Sequence, residues 1–245
     1  MNKTFFRQSF SPHGEVPSLL DRYKQIGAGY ALTENSVAVL SNLRTNESYL
    51  FYGGFAATLG LDVSHATGRV PSIWEEEVLR LIHPEDLSTK YLQELRFFHK
   101  IKSLPKRVRY NHYLVSKLRM RNALGRYIPV VHRMFYFPDD AFESVWLSLC
   151  LYNPMVGSLP HVSMVVNSAT GEVSELRQEH DVEILSAREK QILRLIDQGM
   201  MSKHIAQELS ISTNTVNRHR QNILEKLQVG NSIEACRVAK EYRLL

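Results

Sequence analysis

Between Ser212 and Leu227 the chain reads STNTVNRHRQNILEKL, a stretch dense in side-chain amides and guanidinium groups. Wound as an α-helix at about 100° per residue, it sends Asn214, Arg218, Gln221 and Glu225 to one side, with Asn217 and Asn222 at the edges. Planar amides and guanidinium groups pair bidentately with adenine and guanine edges, so this face has the chemistry of base readout. Val216, Ile223, Leu224 and Leu227 gather on the opposite stripe, with His219 and Arg220 beside them. Any amphipathic helix also shows a polar side to water, so the flanking residues must decide between the two readings.

The elements that would position this face are signalled in order. Ser186 and Glu189 have the S-x-x-E spacing of a capping box. They open a helix whose Leu185, Ile192, Leu193 and Ile196 form an apolar side and which Gly199 ends. Ser202 is placed to cap SKHIAQEL, where Ile205, Ala206 and Leu209 share a face. Ser210 and Ile211 make a corner, and Ser212 or Thr213 caps the next helix. The small Ala206 lets two steeply crossing helices approach each other. A last helix is expected from Ser232, with Ile233, Cys236 and Ala239 along one side.

The run from LSAREKQIL to NSIEA resembles the LuxR-type helix-turn-helix DNA-binding domain over about residues 183–240. The signals are LS-x-RE, G, IA, L-x-IS, TV, H, NI, KL-x-V-x-N and EA. The resemblance implies that the helix from about Thr213 to Leu227 lies in the major groove of double-stranded DNA. It also implies that the last helix mediates dimerisation, so a homodimer is expected. Two positions depart from the family: Asn217 stands where a Lys commonly follows Thr-Val, and Asn231-Ser232 replaces the common Asn-Arg. On this reading Asn217, Arg218 and Gln221 lie near base edges, and Lys203, Thr213, Thr215 and Arg220 lie on phosphates. Thr213 and Thr215 have a second reading as helix caps, and Arg220 as a snorkelling or carboxylate-paired side chain. His219, on the apolar side, reads as a packed structural histidine.

The 245 residues and 44% hydrophobic content give room for a real core in one large domain or two modest ones. A net charge of +5 favours an anionic partner. Cys150 and Cys236 are the two cysteines, too few and too far apart for a disulfide framework or a cysteine metal site. No apolar run approaches the roughly 20 residues of a membrane span, and the first residues lack the pattern of a secretion signal. A soluble, cytoplasmic protein is expected, with no membrane partner.

Ahead of the helical region the pattern changes to strand period. Val108, Tyr110, His112, Leu114, Leu118 and Met120 alternate with Arg107, Arg109, Asn111, Lys117, Arg119 and Arg121. IPVVHRMFYF and VWLSLCLYN follow as antiparallel partners across the turns NALGR and PDDAFES, and HVSMVVN-SATG-EVSEL reads as one more hairpin. SVAVLSN and SYLFY are shorter strands, and Phe55 to Leu61 and Ile73 to Ile82 read as helices. This order resembles a PAS domain over roughly residues 35–155, through YLFYGGFAATLGLD and the His-Pro-Glu-Asp of LIHPEDL. The expected class is α+β: a PAS-like antiparallel sheet with short helices, joined to an all-α, four-helix LuxR-type domain. The expected division is a helical extension at 1–34, a PAS-like sensor or dimerisation domain at 35–170, a linker at 171–184 and the helix-turn-helix domain at 185–245.

No acidic residue occurs between Glu94 and Asp139, where eleven Lys and Arg side chains are concentrated. They belong either to a solvated sheet face balanced by acids elsewhere, or to a surface for DNA, an anionic ligand or another subunit. The PAS resemblance implies a regulatory input from a small molecule or a protein without identifying it, and no cofactor is assigned. A flavin-photosensing type needs a reactive cysteine in a helical motif, which neither Cys150 nor Cys236 supplies. Haem would need a lone histidine, for which His65, His83 and His99 are bare candidates. No metal site is expected, since no two of the ten histidines stand three or four apart. Neither a G-x-S-x-G nor a phosphate-cradling G-x-x-x-x-G-K-[ST] occurs, so no enzyme is expected. Two rivals remain open: a protein-interaction adaptor, and a regulator whose first half is a receptor like that of the quorum-sensing LuxR proteins.

Overall fold

The computed structural model describes residues 17–63, 67–139, 144–176, 184–227, 229–242 and 244–245. They divide into two compact units, residues up to Lys90 with Ile101–Leu176, and Tyr91–Lys100 with the chain after Leu176. Residues 1–16 of the expected extension, His65, residues 140–143 of the PDDAFES turn and residues 177–183 of the expected linker lie outside the described residues.

The first unit is built on an eight-stranded antiparallel sheet. Its strands are β1 (Val37–Asn42), β2 (Glu47–Tyr52), β3 (Thr67–Val70), β4 (His112–Arg121), β5 (Tyr127–Pro138), β6 (Val145–Pro154), β7 (Ser163–Asn167) and β8 (Val173–Glu175). They run in the order β3-β2-β1-β6-β5-β4-β7-β8. The alternating pattern explains β4: Leu114, Leu118 and Met120 are buried while Lys117 and Arg121 are exposed. In β6 every residue from Val145 to Tyr152 is buried, so both faces of this strand are covered. One cover is α1 (Pro17–Thr33), which packs on β1, β2 and β6. Its Leu20 and Ala31 join Ala38, Leu40, Phe51, Trp146, Leu147 and Leu149 in one apolar cluster, and the Tyr23 ring packs tilted against Phe137 with centroids 4.4 Å apart. Burying each such large side chain contributes about 1.5–3 kcal/mol before chain entropy is charged against it.

The Gly-Gly pair at 53–54 does more than turn the chain. A Cβ at Gly53 would lie 2.1 Å from the Ala31 carbonyl oxygen, so the end of α1 closes onto the start of α2 (Gly54–Leu59) only across a glycine. The short helix ends with Gly60 in the left-handed region at φ 73°.

Several elements differ from the sequence expectation. The strand read from Arg107 begins only at His112, because Pro105 starts a helical turn, α5 (Lys106–Arg109). The helix expected over Ile73 to Ile82 is only α3 (Glu76–Leu79), since Ser72 Oγ holds the Trp74 N–H in a turn just before it. The His-Pro-Glu-Asp segment opens a 20-residue helix, α4 (Pro84–Ser103), with His83 as N-cap and Pro84 at the first turn. The hairpin read after the main sheet extends that same sheet, β7 pairing with β4, so the start of the expected linker is strand.

Asp86, in the first turn of α4, takes three bonds from Arg119 of β4. They come from its backbone N–H at 2.7 Å, Nε at 2.9 Å and a terminal nitrogen at 2.7 Å. Burial raises the Asp86 pKa, but these bonds outweigh it and hold the carboxyl below the usual range. Arg133 pairs with Glu34, and Arg109 donates to the Lys102 and Leu104 carbonyls. Part of the concentrated positive charge is thus consumed inside the sheet unit, while Lys117 and Arg121 remain exposed.

Candidate nucleic-acid interface

Four helices follow residue 184: α6 (Ala187–Asp197), α7 (Ser202–Glu208), α8 (Thr213–Leu227) and α9 (Ser232–Glu241). The capping box at the start of α6 is complete. The Glu189 backbone N–H donates to Ser186 Oγ at 3.3 Å, and Glu189 Oε2 accepts the Ser186 N–H at 2.8 Å. Gly199 ends the helix in the left-handed region at φ 83°. The corner between α7 and α8 falls at Ser210, whose φ is 52°. Ser212 then caps α8, its Oγ accepting the Thr215 N–H at 3.0 Å.

The α8 helix meets the other helices through Val216, Ile223 and Leu227, each at most 1% exposed, while Leu224 is half-buried. Ile205 and Ala206 of α7 are buried opposite this corner, which is the helix-turn-helix wedge that the spacing implied. Two cross-links hold the arrangement. Lys226, in the last turn of α8, donates to the buried Glu189 at 2.7 Å. Arg188 of α6 donates to the carbonyl of Leu209, at the end of α7, at 3.1 Å. Burial raises the Glu189 pKa, yet the bonds from Lys226 and Ser186 outweigh it, and the carboxyl stays below its usual range.

On the opposite stripe Asn214, Asn217, Arg218, Gln221 and Glu225 are all exposed. Arg218 makes no hydrogen bond or ion pair among the described residues, whereas Gln221 Nε2 donates to Glu225 Oε1 at 3.0 Å. Lys203 at the start of α7 and Thr213 at the start of α8 are exposed as well. Thr215 is half-buried, and its hydroxyl lies 2.8 Å from that of Ser212, in keeping with its second reading as part of the cap.

Arg220, expected on a phosphate with a second reading as a snorkelling or carboxylate-paired side chain, is half-buried, and its two terminal nitrogens donate to Ser202 Oγ at 3.0 Å and Ser232 Oγ at 2.9 Å. It lies on the inward side of α8, where helix period had already put it near the buried stripe. There it ties the first residues of α7 and α9 to α8. Ser202 was expected to cap α7. Met201 takes the cap position instead, with Ser202 inside the helix and its hydroxyl on Arg220. Ile233 was placed with Cys236 and Ala239 on one side of α9. Ala235, Cys236, Val238 and Ala239 form the buried stripe, and Ile233 is 86% exposed because it sits in the first turn, outside that stripe. Asn231 caps α9 by accepting the Glu234 N–H at 2.9 Å. The link through Arg220 and Ser232 was missed; its one sequence signal was the departure from Asn-Arg at 231–232.

His219 is half-buried, and its Nδ1 has no hydrogen-bond partner among the described residues. His83 caps α4, Nδ1 accepting the Glu85 N–H at 3.4 Å. His99 Nε2, in the stretch that clusters with the C-terminal helices, lies 3.1 Å from the Lys226 carbonyl oxygen. Cys150 in β6 and Cys236 in α9 are buried free thiols. No described helix is long and apolar enough to cross a membrane.

A helix-turn-helix with a polar, amide-rich second helix defines the class of module in the C-terminal unit. Residues 183–239 match the family described as "GerE: Bacterial regulatory proteins, luxR family", so the C-terminal segment is a LuxR-type helix-turn-helix domain. Over 57 residues the chain is 51% identical to the transcriptional regulatory protein DesR of Bacillus subtilis, a stretch covering 23% of this chain and 29% of that protein. It is 47% identical over 53 residues to the transcriptional regulatory protein UhpA of Escherichia coli, covering 22% and 27%. The chain therefore spans less than a third of the length of these curated relatives. Among solved structures, a Vibrio VqmA–ligand–DNA complex is similar over 91% of this chain and 89% of that one. At 15% identity and a TM-score of 0.34, that likeness is too distant to bear on this chain.

Proposed function

We propose that this chain is a DNA-binding transcriptional regulator. In this reading α8 enters the major groove of double-stranded DNA with Asn217, Arg218 and Gln221 toward base edges, while Lys203 and Thr213 hold phosphates. Thr215 serves mainly to close the helix cap. The sheet unit is a PAS-like module that receives a small-molecule or protein signal, or pairs two subunits. A homodimer would present two helix-turn-helix units to half-sites about one helical turn apart.

One observation carries the reading: an exposed stripe of Asn214, Asn217, Arg218 and Gln221 on a helix whose other side is anchored by Val216, Ile223 and Leu227. Solvation alone does not call for so many planar groups with bidentate geometry on one stripe.

Selection of binding sites from a random duplex pool by the full chain tests it. Enrichment of a discrete site is expected, together with a loss of about 1–3 kcal/mol in affinity for that site in Arg218→Ala. No enriched site, or an Arg218→Ala variant that binds DNA unchanged while losing a protein partner, overturns the reading in favour of an interaction adaptor. Native mass spectrometry of the intact protein separates the two roles of the sheet unit. A stoichiometric small molecule marks a receptor, and an empty dimer marks a pairing module.

A further inference from the structure

The exposed face of α8 carries an acid, Glu225, on the same stripe as Arg218 and Gln221. On a surface meant for a polyanion, a carboxylate weakens binding to every sequence alike, unless it also does something that depends on sequence. The geometry points to such a role: we propose that Glu225 is a positioning residue that sets the polarity of the Gln221 amide and so decides which base Gln221 reads. The inference rests on the DNA-binding reading above and goes beyond it in naming a determinant of base preference.

A side-chain amide has two chemically different ends of nearly equal shape. Left to itself in water, Gln221 would present donor or acceptor with little preference. An ionised carboxylate only accepts, so the 3.0 Å bond from Gln221 Nε2 to Glu225 Oε1 permits one orientation of the amide and forbids the flipped one. With the N–H on the side away from Oε1 given to the carboxylate, the carbonyl Oε1 and the second N–H stay available side by side, the acceptor and donor pair that matches N6–H and N7 of adenine. The i, i+4 spacing on a regular helix makes this support local, so it travels into the groove with the helix. Glu225 itself lies near the C-terminal end of α8, whereas the base-reading residues of such helices lie toward the N-terminal end. It therefore acts through Gln221 and not by touching a base. Ordering the amide before binding also lowers the rotamer entropy lost in the complex.

The test uses the full chain and its variants Glu225→Ala, Glu225→Gln, Gln221→Ala and the double variant Glu225→Ala/Gln221→Ala. Site selection is followed by titration against the selected duplex and its single-base variants. Glu225→Ala is expected to raise affinity for unrelated duplex by about two- to threefold, as a repelling charge is removed. It should also flatten the preference at one position per half-site by about twofold, the scale of one exposed i, i+4 side-chain bond that orients the amide. Glu225→Gln should show the same rise with part of the preference kept, because an acceptor remains. The Glu225→Ala effect on preference must vanish in the Gln221→Ala background. A uniform rise in affinity with every base preference intact would show that Glu225 only repels phosphates, and would overturn the inference while leaving the DNA-binding reading standing. So would a loss of preference that persists without Gln221. Failure of the wild-type chain to select any site sinks the DNA-binding reading itself.

Discussion

Each unit of this protein is fastened by a carboxylate in the first turn of a helix, gripped by a cation more than thirty residues further along the chain. In the helical unit Glu189 takes Lys226; in the sheet unit Asp86 takes Arg119. The two acids differ in what else they hold. Glu189 closes its own capping box through the Ser186 N–H, so it fixes the helix start and the end of α8 at once. Asp86 leaves the helix cap to His83 and spends its oxygens on the side chain and backbone N–H of Arg119. Glu189 is 3% exposed, while the Asp86 side chain is 19% exposed. The same device is thus a sealed double lock in one unit and a partly solvated clasp in the other.

The difference orders the expected effects of breaking each. Lys226→Ala leaves a buried carboxylate uncompensated and should destabilise the helical unit by about 2–3 kcal/mol, toward the low end for buried pairs because the lysine end is partly exposed. Thermal melting followed by circular dichroism reads this, and a loss below about 0.5 kcal/mol would show that water already satisfies Glu189. Asp86→Ala removes a charge-assisted cluster with more solvent around it, and a loss of about 1–2 kcal/mol in the sheet unit is expected in the same measurement. A loss exceeding that of Lys226→Ala would invert the comparison.

Acid titration sharpens it. Both carboxyls are held below their usual range, so the stabilisation from each is fully present above the pKa of the unfolded chain. It fades as pH falls through the lower folded value. Melting temperature should therefore be flat near neutral pH and fall on the acid side, and the variant lacking either partner should show a shallower fall. The smallest effect is expected from Lys117→Ala with Arg121→Ala. These are exposed cations of β4 without ion-pair partners among the described residues, and stability should change by no more than about 0.5 kcal/mol. A larger change would mean that this edge of the basic strand is structural after all.

These contrasts also mark how far the chain could be read from its residues. The capping box, Gly199, the Ala206 corner and the amphipathic stripe of Val216, Ile223 and Leu227 were all legible, because each is a signal between residues a few positions apart. The outward face of Asn217, Arg218 and Gln221 followed from the same helical period. In the sheet unit, the strands with clear alternation were legible, and the failures were informative. The apparent strand from Arg107 kept its alternating pattern while Pro105 imposed a helical turn. That acids elsewhere would balance the positive run from Arg96 to Arg133 was one of the readings left open, but nothing in the run named Asp86 and Glu34 as the partners of Arg119 and Arg133.

Residue type and spacing alone determined the capping box of α6, its stop at Gly199, the buried stripe of α8 and the chemistry displayed on its other side, since backbone capping and helical period act over three or four residues. Tertiary structure alone decided that Arg220 finds Ser202 and Ser232 as its partners, that Asp86 and Glu189 each meet a distant cation, and that the β7–β8 hairpin extends the main sheet. A charged or hydroxyl side chain carries no mark of its long-range partner until folding brings the two within a hydrogen bond's reach.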